Sequence, residues 1–276
     1  MIDQLFRSTL KRITPAPVQR WWRSRNAPQP ERHEPSVQRV TGGPLIDRQL
    51  FVDPSRPAFR DMLTGGYDDF MWPIVPAIID GEVILDIGAH IGFHALAFAA
   101  MRPTAKVIAF EPNPVNLQRL HQNLSLDPEL ASRVQVVGAA LGDTEGTFTF
   151  NASGNVDDQT SSGGYLDTVT PPLEAAIYER SHFAAFKVAV HCLDDLVVQH
   201  GWGRVAFIKL DVEGAEQLVL RGAVELLKRD SPVLCIEVHS VNCMLETLAV
   251  LAPLGYSVRM LKEDRPSRAH VLCHPL

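Results

Sequence analysis

The chain has 276 residues, 46% of them apolar and 21% charged, and carries a net charge of −6 at neutral pH. That length and apolar content suit one large α/β core, and no apolar run reaches the ~20 residues that a membrane-spanning helix needs. No basic start followed by an apolar stretch marks a secretory signal, so a soluble, cytoplasmic protein is expected.

The charge is unevenly spread. Residues 1–34 hold seven basic side chains against three acidic ones, net +4, which leaves −10 for the remainder. An acidic body of this kind is not expected to grip nucleic acid by electrostatics. Residues 1–40 read as a proline-rich basic arm, with a flexible extension as its plain role. Weak contact with an anionic membrane surface through Arg23, Arg25 and the Trp21 and Trp22 pair is the sharper reading. Residues 41–276 read as one catalytic domain. The cysteines at 192, 235, 243 and 273 show no C-x-x-C spacing and are expected as reduced thiols.

Residues 70–79 are apolar and read as a helical lead-in after Gly65 and Gly66, with Tyr67 and Asp68 as candidates to line a site or simply to pack and cap. The run 83–87, V-I-L-D-I, has the continuous apolar character of a strand buried on both faces. It breaks at Gly88 and Gly92 into a predicted helix over 93–101. A second buried strand spans 106–110 and ends at Glu111, with Pro112, Asn113 and Pro114 opening a helix to about residue 123. A third strand at 133–137 runs on to 139–143. Period-two alternation at 146–150 predicts an antiparallel strand, returned by a strand at 186–190. Between them lie a polar loop at 151–164 and a helix near 173–180, so that residues 144–192 form an insertion that shapes the acceptor pocket. A short helix begins at 193–197. Strands at 205–210 and 232–236 follow, separated by one helix over 215–229. A helix over 243–251, a strand at 256–261 and a last edge strand at 269–273 complete a doubly wound, mostly parallel sheet with an inserted β-hairpin and loop.

Ligands of such sheets bind beyond the carboxyl ends of the strands. Glu111, 19 residues past Gly92, stands where an acid accepts hydrogen bonds from a ribose diol. A dinucleotide loop needs glycine at its second position to admit a pyrophosphate, and here that position is His90. An adenosine ligand without phosphate, S-adenosylmethionine, fits the pattern better. Two later strands end in polar clusters, Lys209, Asp211 and Glu213 on one and Glu237 and His239 on the other. A lysine in an apolar strand needs a carboxylate partner, for which Asp86, Asp211 and Glu237 are the candidates. Three readings of the cluster stand together: general base catalysis by His239 or Asp211, a divalent metal such as Mg²⁺ on Asp211, Glu237 and His239, and an ion-pair network that fixes Lys209 and caps the next helix through Glu213 or Glu216.

The segments Asp86 to Gly92, Phe110 to Pro114, Ala140 to Asp143, Ile208 to Glu216 and Ile236 to His239 together resemble the FkbM family of S-adenosylmethionine-dependent methyltransferases. The resemblance covers about residues 67–256. Its most specific block is K-x-D-x-E-G at 209–214. It implies a Rossmann-like class I methyltransferase fold and O-methylation of a sugar, polyketide or other secondary-metabolite hydroxyl. Carried onto this chain, Asp86, Gly88, Ala89, His90 and Gly92 make the donor loop. Glu111, with Pro112 and Asn113, takes the ribose, Ala140, Leu141 and Asp143 lie near the adenine, and Asp211 faces the methionine end. The family usually has asparagine where His90 stands, which puts a side-chain contact there in question. His239, Asp211, Lys209 and Glu237 are the catalytic candidates, and no metal ligands are assigned. An RNA or protein methyltransferase and a non-catalytic scaffold are the alternative readings; the resemblance does not name the acceptor or the oligomeric state.

Overall fold

The computed structural model describes residues 34–75, 82–153, 163–169, 183–265 and 268–276. Most of the basic arm, much of the 151–164 loop and the helix expected near 173–180 lie outside the described residues. The end of the arm does enter the structure: β1 (Ser36–Arg39) pairs antiparallel with β2 (Gln49–Val52), and α1 (Pro57–Thr64) follows. Residues 68–74 form turns rather than the expected helix, as suits a segment interrupted at Pro73.

Seven strands build the main sheet in the order β12 (Tyr256–Arg265), β13 (Arg268–Pro275), β11 (Val233–Val238), β10 (Val205–Leu210), β3 (Val83–Ile87), β4 (Lys106–Phe110), β5 (Val134–Val137). Its parallel centre is β3, β4, β5, β10 and β11. All residues of β3 and β10 are buried, as their unbroken apolar runs require. Two apolar cores flank the sheet. One packs β2, α1, α2 (Phe93–Met101) and α3 (Pro114–Ser125) on one face. The other packs α5 (Leu193–His200), α6 (Glu216–Arg221), α7 (Val224–Asp230) and α8 (Val241–Leu251) on the opposite face. The short α4 (Pro128–Ala131) is capped by Asp127.

Two expectations change. Residues 269–273 do not form an edge: β13 (Arg268–Pro275) lies between β12 (Tyr256–Arg265) and β11, antiparallel to both. This position carries Arg268 and His270 to the carboxyl end of β11. The single helix expected over 215–229 is two, because Gly222 presses on backbone: a Cβ there would lie 1.9 Å from the carbonyl oxygen of Gly142. Asp194 caps the second piece through the backbone N–H groups of Glu225 and Leu226.

The insertion is a separate four-stranded sheet. In it, β6 (Ala140–Leu141) pairs with β9 (Phe183–His191), which pairs with β7 (Gly146–Ser153), and β7 with β8 (Tyr165–Leu166). The expected hairpin is present, as β7 and β9 run antiparallel. Among the described residues, no helix is long and apolar enough to cross a membrane, and all four cysteines are free thiols.

Candidate active site

The carboxyl ends of β3, β4, β10 and β11 open onto a cavity of about 550 Å³, within the range of small-molecule sites. Its floor is the turn after β3. The backbone N–H groups of Gly88 and Ala89 donate to the carbonyl of Phe110, and that of Asp211 donates to Ile87, which binds the ends of β3, β4 and β10 together. Gly88 sits at φ +82°, and a Cβ on it would lie 1.9 Å from the carbonyl oxygen of Asp211. Only glycine fits there.

Glu111 lines this cavity at the end of β4. Its Oε2 accepts the backbone N–H of His90 at 2.8 Å, and its Oε1 accepts those of Asn113 at 2.8 Å and the Asn116 amide at 3.3 Å. Burial pushes its pKa up to about 7, against the pull of these three hydrogen bonds. His90 lines the cavity at φ +50°, with its ring against Phe59 of α1. Burial, then the nearby Arg56 and Lys209 charges, hold its pKa down to about 3, so the ring is neutral.

The wall beyond β10 and β11 is densely charged. Lys209 is buried, and its Nζ donates to the carbonyl of Gly88 at 2.9 Å and lies 3.4 Å from Asp211 and 3.6 Å from Asp86. Burial disfavours its charge, yet Asp211 and Asp86 more than restore it and its pKa is raised. Against the cost of burial, Lys209 and His239 hold the Asp211 carboxyl well below the usual range. Glu213, at φ +52°, faces His239 at 3.3 Å and Arg268 at 3.4 Å; burial nevertheless raises its pKa. Arg268 also binds Glu237, whose second oxygen is 3.5 Å from His270. Opposite them, Asp68, at φ +48°, meets His94 of α2 at 3.1 Å, and both line the cavity with Tyr67.

The structure therefore brings Gly88, Ala89, His90, Glu111, Pro112, Ala140, Leu141, Lys209, Asp211 and Glu237 to one cavity. Four residues expected in the donor site stand elsewhere. Asp86 lies beneath the floor as the partner of Lys209, and Gly92 caps α2. Asn113 caps α3, and Asp143 pairs with Arg221 at 2.8 Å. His239 needs a correction of role. It does not border the cavity; its Nδ1 meets Glu216 at 2.7 Å and its Nε2 faces Glu213 and Asp211. Burial alone would lower its pKa, but Glu213 and Glu216 carry it up to about 10. With its ring charged at neutral pH, His239 supports the acids in front of it and is not a free base there. The ion-pair reading of this cluster matches what is seen, including Glu216, which accepts the backbone N–H of Gly214 ahead of its own helix. Arg268, His270, Lys262 and His94 also line the cavity and were not anticipated.

Asp211, Glu237 and His239 present ligand atoms within 4.8 Å of one another. Lys209 already pairs with Asp211 and Arg268 with Glu237, and both ring nitrogens of His239 face carboxylates, which calls for a protonated ring with no lone pair to offer a metal. This donor set does not fit a divalent ion.

The model of the methyltransferase FkbM domain matches residues 86–258, from the floor of the cavity into β12. The chain belongs to the FkbM methyltransferase family. Relatives of this FkbM-family chain include the 2-O-methyltransferase NoeI of Sinorhizobium fredii, 31% identical over 53% of this chain and 59% of NoeI. The 31-O-demethyl-FK506 methyltransferase FkbM of Streptomyces tacrolimicus is 28% identical over 64% of this chain and 74% of its own. The hexuronic acid methyltransferase AglP of Haloferax volcanii is 25% identical over 72% and 74%. The match thus spans less than two thirds of NoeI. The matched residues include Glu111, Asp211 and Glu237, whereas Tyr67, Asp68, Lys262, Arg268 and His270 border the cavity from outside them.

Proposed function

We propose that this chain transfers a methyl group from S-adenosylmethionine to a hydroxyl oxygen of a small-molecule or glycan acceptor. The observation that carries the reading is Glu111: a buried carboxylate that borders the cavity at the end of β4, beside the Gly88 turn, is the group a ribose diol requires. The names of NoeI, FkbM and AglP support methylation, and the first two oxygen as the acceptor atom. The acidic body supports a small acceptor over a nucleic acid.

In this reading the turn Gly88 to His90 and Glu111 hold the adenosyl part, with Ala140 and Leu141 beside the base. Lys209 fixes the turn through the Gly88 carbonyl. Asp211 and Glu237, paired with Lys209 and Arg268, face the methionine end and the acceptor. The donor supplies an already activated methyl group, so positioning of the two reactants accounts for much of the rate. Calorimetric titration of S-adenosylhomocysteine, followed by radiolabelled methyl transfer to hydroxylated sugars, uronic acids and polyketides, tests the proposal. Micromolar binding and labelled product are expected. A folded protein that binds no S-adenosylhomocysteine refutes it.

A further inference from the structure

A hydroxyl that attacks a methyl group must lose its proton, and His239 does not reach the cavity. Among the described residues, three histidines border it: His90, His94 and His270. The His90 ring is packed on Phe59, and burial holds its pKa down to about 3, too low for a base near neutral pH. His270 is engaged by Glu237 from the neighbouring strand and packs on Phe70. His94 differs from both. It is the one of the three that directly follows the turn after β3, on the first turn of α2.

Its surroundings fix the ring. Tyr67, Trp72, Phe93 and Phe98 surround it with centroid separations of 5.5 to 6.1 Å. Asp68 Oδ2 lies 3.1 Å from His94 Nε2. The contact is off the line of a good hydrogen bond, as is common in catalytic pairs before the reactants are present. Asp68 holds a left-handed backbone, φ +48°, a conformation uncommon for a residue with a side chain and enriched at functional sites. The same arrangement, an acid orienting an imidazole from behind, equips a base in other hydroxyl-activating sites.

We propose that His94 is the general base of methyl transfer and Asp68 the residue that positions it. The inference rests on the methyltransferase reading above. The acceptor oxygen forms a bond to the methyl carbon as the carbon to sulfur bond breaks. That electron pair goes to sulfur, leaving a neutral thioether, and the hydroxyl proton passes to His94 Nδ1. Asp68 at Nε2 stabilises the imidazolium until the proton leaves to solvent. Against the cost of burial, His94 and then His270 and Lys209 hold the Asp68 carboxyl below its usual range.

The test compares the full chain with His94→Gln, His94→Ala and Asp68→Asn, using S-adenosylhomocysteine for binding and the best acceptor from the sugar, uronic acid and polyketide panel for turnover. His94→Gln is expected to lower kcat by at least about 100-fold, with acceptor KM and S-adenosylhomocysteine affinity within about 3-fold. Asp68→Asn should lose less. Added imidazole should restore part of the His94→Ala turnover, which a purely structural role would not allow. If His94→Gln turns over at the wild-type rate, or if its loss of turnover is matched by loss of donor affinity, the assignment is overturned. If His94→Ala does not fold, the His94→Gln result decides. Wild-type protein that fails to bind S-adenosylhomocysteine, or binds it and methylates nothing in the panel, overturns the methyltransferase reading instead, and the base with it.

Discussion

The Lys209 ammonium donates a 2.9 Å hydrogen bond to the carbonyl oxygen of Gly88, a residue 121 positions earlier in the chain. Lys209 and Asp86 are also partners in register across β10 and β3, so one buried cation ties the Gly88 turn to the strand that leads into Asp211. Lys209→Met leaves Asp86 and Asp211 without their cation. A loss of about 3 to 5 kcal/mol is expected for breaking a buried pair from one side, measured by urea unfolding at pH 7. Donor affinity should fall with it, and unchanged stability would show that water or another cation replaces the lysine.

In the proposed reading, Glu111 makes donor binding depend on pH. Its pKa, pushed up to about 7 by burial, means that the carboxylate needed by the ribose diol is protonated progressively below that value. S-adenosylhomocysteine affinity is expected to be full above pH 8 and to weaken as pH falls through 7, and Glu111→Gln should be weak at every pH. The folding linkage runs the other way. The folded state holds this proton more tightly than the unfolded one, so the group's stabilising share is present below about pH 4.5 and lost as pH rises through 7. Titrations at pH 6 and 8 check the binding half.

The half of the cavity built from β3 and β4 was legible because it is local. A strand, a glycine turn, a helix and an acid-tipped second strand occupy residues 83–111, and short-range pattern determines each. Lys209 was legible for a similar reason, since a cation inside an apolar strand demands a carboxylate. The role of His239 was not, because the sequence shows an imidazole near acids but not the Glu213 and Glu216 contacts that fix its charge. Arg268 and His270 were hidden by β13, whose apolar run says strand but not that it inserts beside β11. Gly222, in the middle of a helical pattern, was the signal for the break between α6 and α7, yet its cause is a carbonyl contributed by Gly142, 80 positions away.

His239 is expected to act on stability rather than on proton transfer. Its pKa is raised to about 10, so its contribution is fully present below pH 6.5 and lost as pH rises through 10. His239→Gln should cost on the order of 3 kcal/mol at pH 6, as expected when one partner leaves a buried charge cluster. The gap between wild type and variant should close by pH 11. Denaturant unfolding at a series of pH values reads both numbers, and a gap that does not narrow would mean that the ring is neutral in the folded protein.

Gly88→Ala tests the floor of the cavity by sterics alone. The added methyl would sit 1.9 Å from the carbonyl oxygen of Asp211 at a backbone φ of +82°, so two penalties combine: a left-handed conformation that alanine adopts poorly and an overlap with backbone that no rotamer relieves. The turn must move, and with it the N–H groups that join β3 to the carbonyl of Phe110. A stability loss of about 2 kcal/mol or more is expected, with S-adenosylhomocysteine binding abolished in the fraction that folds. Gly201→Ala is the matched control, since Gly201 is also at positive φ, +59°, but meets nothing within 4 Å. It should carry only the conformational part of the penalty and leave binding intact. Equal losses at the two positions would show that the close approach of Gly88 to β10 is not what shapes the donor turn.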